Sequence, residues 1–394
     1  MADIRKNILL FKIDSFLGGI WPLSSLAIVY FEQITHSYAL AMLVWSIANL
    51  TQTFSEIPTG IYSDKIGRRK TLLLSAVMMT LCFVLWATAG QFALPFLLFI
   101  GAVFWGLADA LLSGTDEALM YETMAELNQK ENFSVLFAKS NFWTQCGLAV
   151  SALSAAVLVY FCSLQTLAWV SILPSSGGLI TALLFVEPVR TRQQKRTTSW
   201  THFLIAFRRL WRNKRLRFYA ATAIVDEAVG MAFFRIEAAY YNTLIKKWVI
   251  NIVRFLKQLS GMAGYALAPV LKRFGSVRLF FTAISLNEVV RLVALLLDNT
   301  LSPFIMSIRN LFWGISNTSQ ADILQQEFSD DQRATMKSII SLLKGILAAV
   351  AMYLFGVLAD LSGPKMTVVA AMCIKVIVIV AALTILHHRK KART

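Results

Sequence analysis

The chain has 394 residues, of which 57% are hydrophobic and 15% charged, too little polar surface for a protein whose main solvent is water. Its 38 Lys and Arg against 22 Asp and Glu give a net charge of +16. No basic domain stands free of the apolar stretches, which argues against nucleic acid as a partner.

Windows long enough to cross about 30 Å of hydrocarbon run from Leu9 to Phe31, Tyr38 to Ser63, Thr71 to Ala89, Phe92 to Thr115, Phe133 to Phe161 and Leu164 to Val186. After a polar break come Phe218 to Leu244, Trp248 to Leu271, Val277 to Leu297, Leu301 to Ile323, Met336 to Leu358 and Met366 to Leu386. The expected fold is an all-α membrane protein of about twelve transmembrane helices. They form two six-helix bundles, residues 1–186 and 218–394, joined by a basic cytoplasmic linker, 187–217. Lys and Arg resist translocation, and here they sort by side: with both termini in the cytoplasm, inner segments hold 26 of them and outer segments three, Lys246, Lys247 and Lys365. The first apolar window is too long for a cleavable signal peptide.

Within the linker, Trp200, Phe203, Leu204, Phe207, Leu210 and Trp211 recur at helical spacing beside Arg208, Arg209 and Arg212. That pattern suits an amphipathic helix on the anionic cytoplasmic leaflet, and equally a linker that is basic only for topology. Cys82, Cys146, Cys162 and Cys373 lie singly, and His36, His202, His387 and His388 are scattered or in a tail. No metal-ligand spacing, nucleophile constellation or phosphate loop follows from them, so neither cofactor nor metal is expected and an enzyme is disfavoured.

Between the second and third windows the chain reads GIYSDKIGRRK, Gly60 to Lys70, polar punctuation of a tight cytoplasmic hairpin. Gly60, Asp64, Lys65, Gly67, Arg68, Arg69 and Lys70 resemble motif A of the major facilitator superfamily of secondary transporters. The lead-in SEIPTG, Ser55 to Gly60, resembles the variant of many bacterial members. A weaker copy lies in APVLKRFGSVR, where Gly275 follows Gly67 by 208 residues, and FWG at Phe104–Gly106 returns at Phe312–Gly314 with the same offset. One offset shared by two short matches points to a duplicated half, and parallel repeats are what the two halves of this superfamily show. The resemblance implies a multi-pass protein of the bacterial inner (plasma) membrane, working as a monomer by alternating access through a cavity between its halves. It implies that Asp64 meets the positive end of the eleventh helix, near Thr335. An acid ending the fourth span, Asp116 or Glu117, pairs in this reading with Arg68 or Arg69 as a gate. Gly60 and Gly67 let the second and third helices turn and approach, with a kink at Pro58.

Charges at bilayer depth cost roughly 2.5–3.5 kcal/mol each on insertion scales and so mark pathways. The first half holds Asp14, Glu56 and Asp109; the second holds Arg235, Arg254, Lys257, Arg291, Arg309, Lys344 and Lys375 beside Asp226, Glu227, Glu237 and Glu288. Asp109, Leu112 and Asp116 share one helical face, and Asp226, Gly230, Phe233 and Glu237 another. Glu288 and Arg291, at i,i+3, read best as an internal pair. Asp14, Glu56, Asp109, Asp226 and Glu227 are the proton-coupling candidates, since a carboxylate stripped of water favours its protonated form. Arg235, Arg254, Lys257, Arg309 and Lys344 are the substrate-binding candidates, with neutralisation by Glu237, Glu288 or Asp322 as the competing role.

The fourth span lacks the intramembrane arginine of motif B and the fifth lacks the Gly-Pro pair of the antiporter motif. Both departures weaken the alternative, proton-driven efflux of amphipathic cations, and the bases of the second half favour uptake or exchange of an anionic or zwitterionic solute, a carboxylate-bearing metabolite or siderophore-like compound. A non-transporting solute sensor is the reading from another class. It lacks the long signalling domain such a protein would carry.

Overall fold

The computed structural model describes residues 4–189, 214–327 and 330–391, with side chains at 214–220, 223, 320–339 and 382–391 outside the description. The linker helix expected at 200–212 lies outside it as well. Among the described residues the structure is all helix and connection, with no strand.

Two compact units divide the chain: Met1–Lys195 with Lys247–Ile252, and Arg196–Lys246 with Val253–Thr394. In the first unit the predicted opening span is not one helix but two. α1 (Lys6–Gly19) and α2 (Ala27–Thr35) flank a 3-10 turn at Pro22–Ser25. Pro22 offers no N–H to continue the ladder, and the Ser151 hydroxyl accepts from the backbone N–H of Trp21 at 3.0 Å, so the bilayer rule that backbone groups be satisfied still holds. α3 (Tyr38–Ile66) and α4 (Arg68–Phe92) follow, then the fourth span as α5 (Phe96–Leu112) and α6 (Thr115–Glu126). Gly114 at φ +73° breaks that span. α7 (Phe133–Phe161), α8 (Leu164–Val170) and α9 (Ile172–Leu184) complete the unit.

The second half runs α10 (Lys214–Leu244), α11 (Lys247–Leu271), α12 (Ser276–Leu297), α13 (Ser302–Ser307), α14 (Arg309–Glu327), α15 (Asp330–Ser362) and α16 (Pro364–Lys391). Seven of the described helical stretches are long and apolar enough to cross a membrane. Their exposed residues are large and apolar, among them Phe142, Val157 and Phe161 on α7 and Leu354 and Ile377 in the second half, as lipid-facing surface requires.

The 208-residue repeat is visible in the packing. Gly67 and Gly275 both sit at positive φ, +119° and +87°, where only glycine is unstrained, and each heads a helix, α4 and α12. A Cβ on Gly106 would strike the backbone of Ala48 and Gln52 on α3, and one on Gly314 would lie 2.9 Å from the carbonyl of Gly261 on α11. The repeated FWG thus brings the fourth span onto the second and the tenth onto the eighth. Within each unit, the helix ends far from these glycine turns are tied alike. The Tyr30 hydroxyl donates to the carbonyl of Trp86 at 2.8 Å and touches Gln165 at 3.0 Å, joining spans one, three and six. The Tyr240 hydroxyl donates to Asp298 at 3.0 Å, and Lys365 donates to the same carboxylate at 2.6 Å, joining spans seven, nine and twelve. The Lys365 hydrogen bond is the main reason that the Asp298 carboxyl is held below the usual range.

Gly60 differs from these glycines. It is exposed, and a Cβ there would meet nothing within 4 Å, so close helix approach, as expected from the sequence, is not its role. Gly106→Ala is therefore expected to destabilise by about 1–3 kcal/mol through overpacking, while Gly60→Ala leaves thermal unfolding in detergent unchanged or slightly raised. Equal melting temperatures for the two variants would contradict this account.

Candidate functional site

The Gly60–Lys70 hairpin of the first unit is a bonded junction. α4 begins at Arg68, and the backbone N–H groups of Arg68 and Arg69 donate to the two oxygens of Glu187, each at 2.8 Å. A carboxylate on a helix N-terminus is stabilised by the unmet N–H groups and the helix dipole, by about 0.3–2 kcal/mol. A Cβ on Gly67 would sit 3.0–3.2 Å from that carboxylate, so glycine serves both the turn and the cap. The Arg68 guanidinium reaches Asp64 at 2.8 Å, Glu122 at 3.1 Å and the Ser63 hydroxyl at 2.9 Å. The Arg69 guanidinium donates to the carbonyl of Leu183 at 2.5 Å. Asn7 ties the junction to α1, donating to Val186 and Thr123 at 2.8 and 3.1 Å.

Two expectations are corrected here. The acid that Arg68 meets on the fourth span is Glu122, and the acid at Arg69 is Glu187; Asp116 and Glu117 pair with neither arginine. The fourth span is interrupted at Gly114, and Glu122 lies on α6, beyond that break. Glu187 carried a signal in the sequence: it is a lone acid directly after a span, in a segment otherwise rich in bases. The start of the eleventh helix near Thr335, the expected partner of Asp64, lies outside the described side chains.

Among the remaining acids of this unit, Asp14 accepts from the Thr181 hydroxyl, and Glu56 and Asp109 are half-buried. Trp21, Trp45, Trp86, Trp105, Phe31 and Phe83 pack with ring centroids 4.7–6.1 Å apart, an aromatic core around the broken first span.

The second unit holds a buried charge cluster. Glu237 on α10 is 3% exposed and pairs with Lys257 on α11, while Arg309 on α14 lies 4.0 Å from its other oxygen. Asn287 fixes Arg309, accepting from Nε at 2.8 Å. Arg291, fully buried on α12, is 2.9 Å from Glu288, as the i,i+3 spacing predicts. Phe233 and Phe234 floor the cluster. The guanidiniums of Arg291 and Arg309 lie 4.3 and 4.5 Å from the Phe233 ring centre, and Arg254 and the Lys257 ammonium lie 4.3 and 4.8 Å from that of Phe234. Such cation–π contacts stabilise a desolvated cation without neutralising it. The shared face of Asp226, Gly230, Phe233 and Glu237 is real: Asp226 pairs with Lys375 at 2.9 Å, and a Cβ on Gly230 would lie 3.3 Å from that ammonium.

Of the other candidates, Lys344 pairs with Glu227, which is half exposed, and Arg235 lies 5.8 Å from the centre of the same Phe234 ring. Arg254, Lys257 and Arg309 are brought together, and Arg291, read from spacing as a mere internal pair, joins them. Gly264, beside Arg254 and Lys257, serves helix approach, a Cβ there striking the carbonyl of Leu311, whereas one on Gly261 would meet Asn310 at an ordinary 3.7 Å.

The family model described as Major Facilitator Superfamily matches residues 13–351. Comparison with curated proteins finds no match. Among solved structures, the nucleoside transporter NupG superposes with a TM-score of 0.78 at 16% identity, covering 96% of this chain and 98% of that one. A D-xylose-proton symporter gives 0.73 at 12%, covering 96% of each chain. A bacterial homolog of the human lysosomal transporter Spinster, in an inward-facing and unoccupied conformation, gives 0.73 at 13%, again covering 96% of each. At such identities the likeness is one of fold.

Proposed function

The chain belongs to the major facilitator superfamily and is a multi-pass membrane transporter, and on that premise we propose that it moves a small organic solute bearing an anionic group, coupled to protons, by alternating access. The proposed setting is a bacterial inner membrane with both termini cytoplasmic, and the working unit a monomer. One observation carries the substrate class. Arg254, Lys257, Arg291 and Arg309 gather at Phe233 and Phe234 with Glu237 and Glu288 as counter-charges, and Asp226, which also acts on Arg291, is itself paired with Lys375, an excess of two cations among the described residues. Uncompensated cations at bilayer depth need an anion, and Arg can grip a carboxylate through two parallel hydrogen bonds.

A ligand shifts stability only if it binds the native state. Thermal unfolding of the purified chain with carboxylates, amino acids, nucleosides, sugars and amphipathic cations therefore tests the reading. Stabilisation by carboxylates supports it, and stabilisation by cations alone favours the efflux alternative built on Asp14, Glu56 and Asp109.

The hairpin is proposed as the gate. Asp64 is 68% exposed and its pair with Arg68 is an i,i+4 surface bridge, worth no more than about 1 kcal/mol. Asp64→Asn is thus expected to leave expression and melting temperature nearly unchanged while impairing transport through the conformational equilibrium. Unchanged uptake together with unchanged accessibility labelling would remove the gating role.

A further inference from the structure

Resting on the anion reading above, we propose that the solute's carboxylate is carried on a flat aromatic or heteroaromatic ring, and that Trp313 and Tyr265 form the corner that takes this ring. The open face of α14 singles the place out. Among its described side chains only Trp313 and Asn317 are exposed, Trp313 to 49%, with Asn310 half-buried beside them. These three fall at i, i+3 and i+7, on one helical face. A lipid-facing surface is apolar, as on the far side of α11, where Leu259, Met262, Leu267 and Val270 are exposed, whereas amides at bilayer depth turn toward water or a ligand. Having an amide one turn to either side also separates Trp313 from the aromatic belts of membrane–water boundaries.

Two rings and two hydrogen-bonding groups meet there. The planes of Trp313 and Tyr265 stand at 84° with ring centres 5.9 Å apart, and Tyr265, on α11, is 43% exposed. A third ring can lie against the face of one and meet the edge of the other, the two arrangements that aromatic pairs prefer. Gly314 makes the corner possible, since a Cβ there would lie 3.0 Å from the backbone nitrogen of Tyr265. The Tyr265 hydroxyl accepts from Asn317 Nδ2 at 3.0 Å, which leaves its own hydrogen to donate and the Asn317 Oδ1 to accept. A hydroxyl, or a ring N–H beside a carbonyl, on the ring's far edge matches that pair. The carboxylate end follows from continuity with the cation cluster. Arg309 stands four residues before Trp313, about 6 Å along the same helix, and Arg254 shares the flank of α11 that carries Gln258 and Tyr265. A linker of one or two carbons between carboxylate and ring suits that separation.

The test uses the purified full-length chain with the sodium salts of indoleacetate, para-hydroxyphenylacetate, phenylacetate, cyclohexylacetate and acetate, with neutral indole, and with sodium chloride as control. Affinity is read by calorimetric titration and thermal shift. The wild type is expected to bind indoleacetate at least about tenfold more tightly than acetate, and phenylacetate about two- to tenfold more tightly than cyclohexylacetate, which buries similar area without a π face. It should also prefer para-hydroxyphenylacetate to phenylacetate. Trp313→Leu is expected to abolish the preference for phenylacetate over cyclohexylacetate while acetate binds as before; the side chain is exposed, so the fold does not depend on it. Tyr265→Phe keeps the ring and is expected to lose only the preference for the para-hydroxyl. Aromatic and aliphatic carboxylates that bind alike, or a ring preference that survives Trp313→Leu, would overturn the corner and leave the anion reading intact. If no carboxylate binds while indole binds the wild type and not Trp313→Leu, the anion reading falls and the corner stands. If neither carboxylates nor indole bind, both fall.

Discussion

Glu237→Gln is expected to destabilise the protein by about 3–5 kcal/mol and to abolish transport. Glu237 pairs with Lys257, and both are less than 6% exposed; its second oxygen faces Arg309 at 4.0 Å. The amide keeps the shape but removes the charge, leaving buried cations without compensation, which is the costly way to break a buried pair. Thermal unfolding in detergent and uptake in proteoliposomes check the two halves of the claim. Lys257→Met added to Glu237→Gln should recover much of the stability, because replacing both partners with neutral groups is far less costly than stranding one. A melting temperature unmoved by Glu237→Gln would mean that the cluster's charge balance is maintained by other groups.

Arg309→Lys is expected to weaken an anionic ligand by about tenfold or more with the fold intact. The charge is kept, but the fork that gives two parallel hydrogen bonds is lost, and hydrogen bonds to charged groups contribute about 1.5–3 kcal/mol. Arg309 also depends on Asn287, whose Oδ1 accepts from its Nε at 2.8 Å and so orients the guanidinium. Asn287→Ala should accordingly weaken the same ligand without changing the charge of the site. If Arg309→Lys left every ligand's affinity as it was and organic cations proved to be transported, the anion assignment would fall and efflux would take its place.

Much of the fold was legible because glycine and charge leave unambiguous marks. Gly67 and Gly275 could be matched from sequence, and both occupy turns that other residues would strain; Gly106 and Gly314 repeat because each lets a helix approach a neighbour's backbone. The gathering of Arg254, Lys257 and Arg309 was readable from apolar spans that contain bases. What stayed hidden depends on contacts distant in the chain or on local breaks. Asp226 meets Lys375 and Glu227 meets Lys344 across more than a hundred residues, and periodicity cannot report such pairs. An αL turn at Gly114 breaks the fourth span, and Glu122, on the helix after it, meets Arg68 where Asp116 or Glu117 was expected. The pairing of Glu288 with Arg291 was read from its i,i+3 spacing and is present, but spacing could not show that Arg291 also shares the Phe233 ring with Arg309.

The most direct test of the account is uptake by the purified chain in proteoliposomes, comparing labelled carboxylates with amphipathic cations, nucleosides and sugars, with and without an imposed proton gradient and a protonophore. The account predicts that a carboxylate-bearing solute is accumulated, that the gradient drives it, and that Arg309→Lys sharply reduces it. Transport confined to cations or uncharged solutes, or carboxylate transport indifferent to both gradient and protonophore, would contradict it.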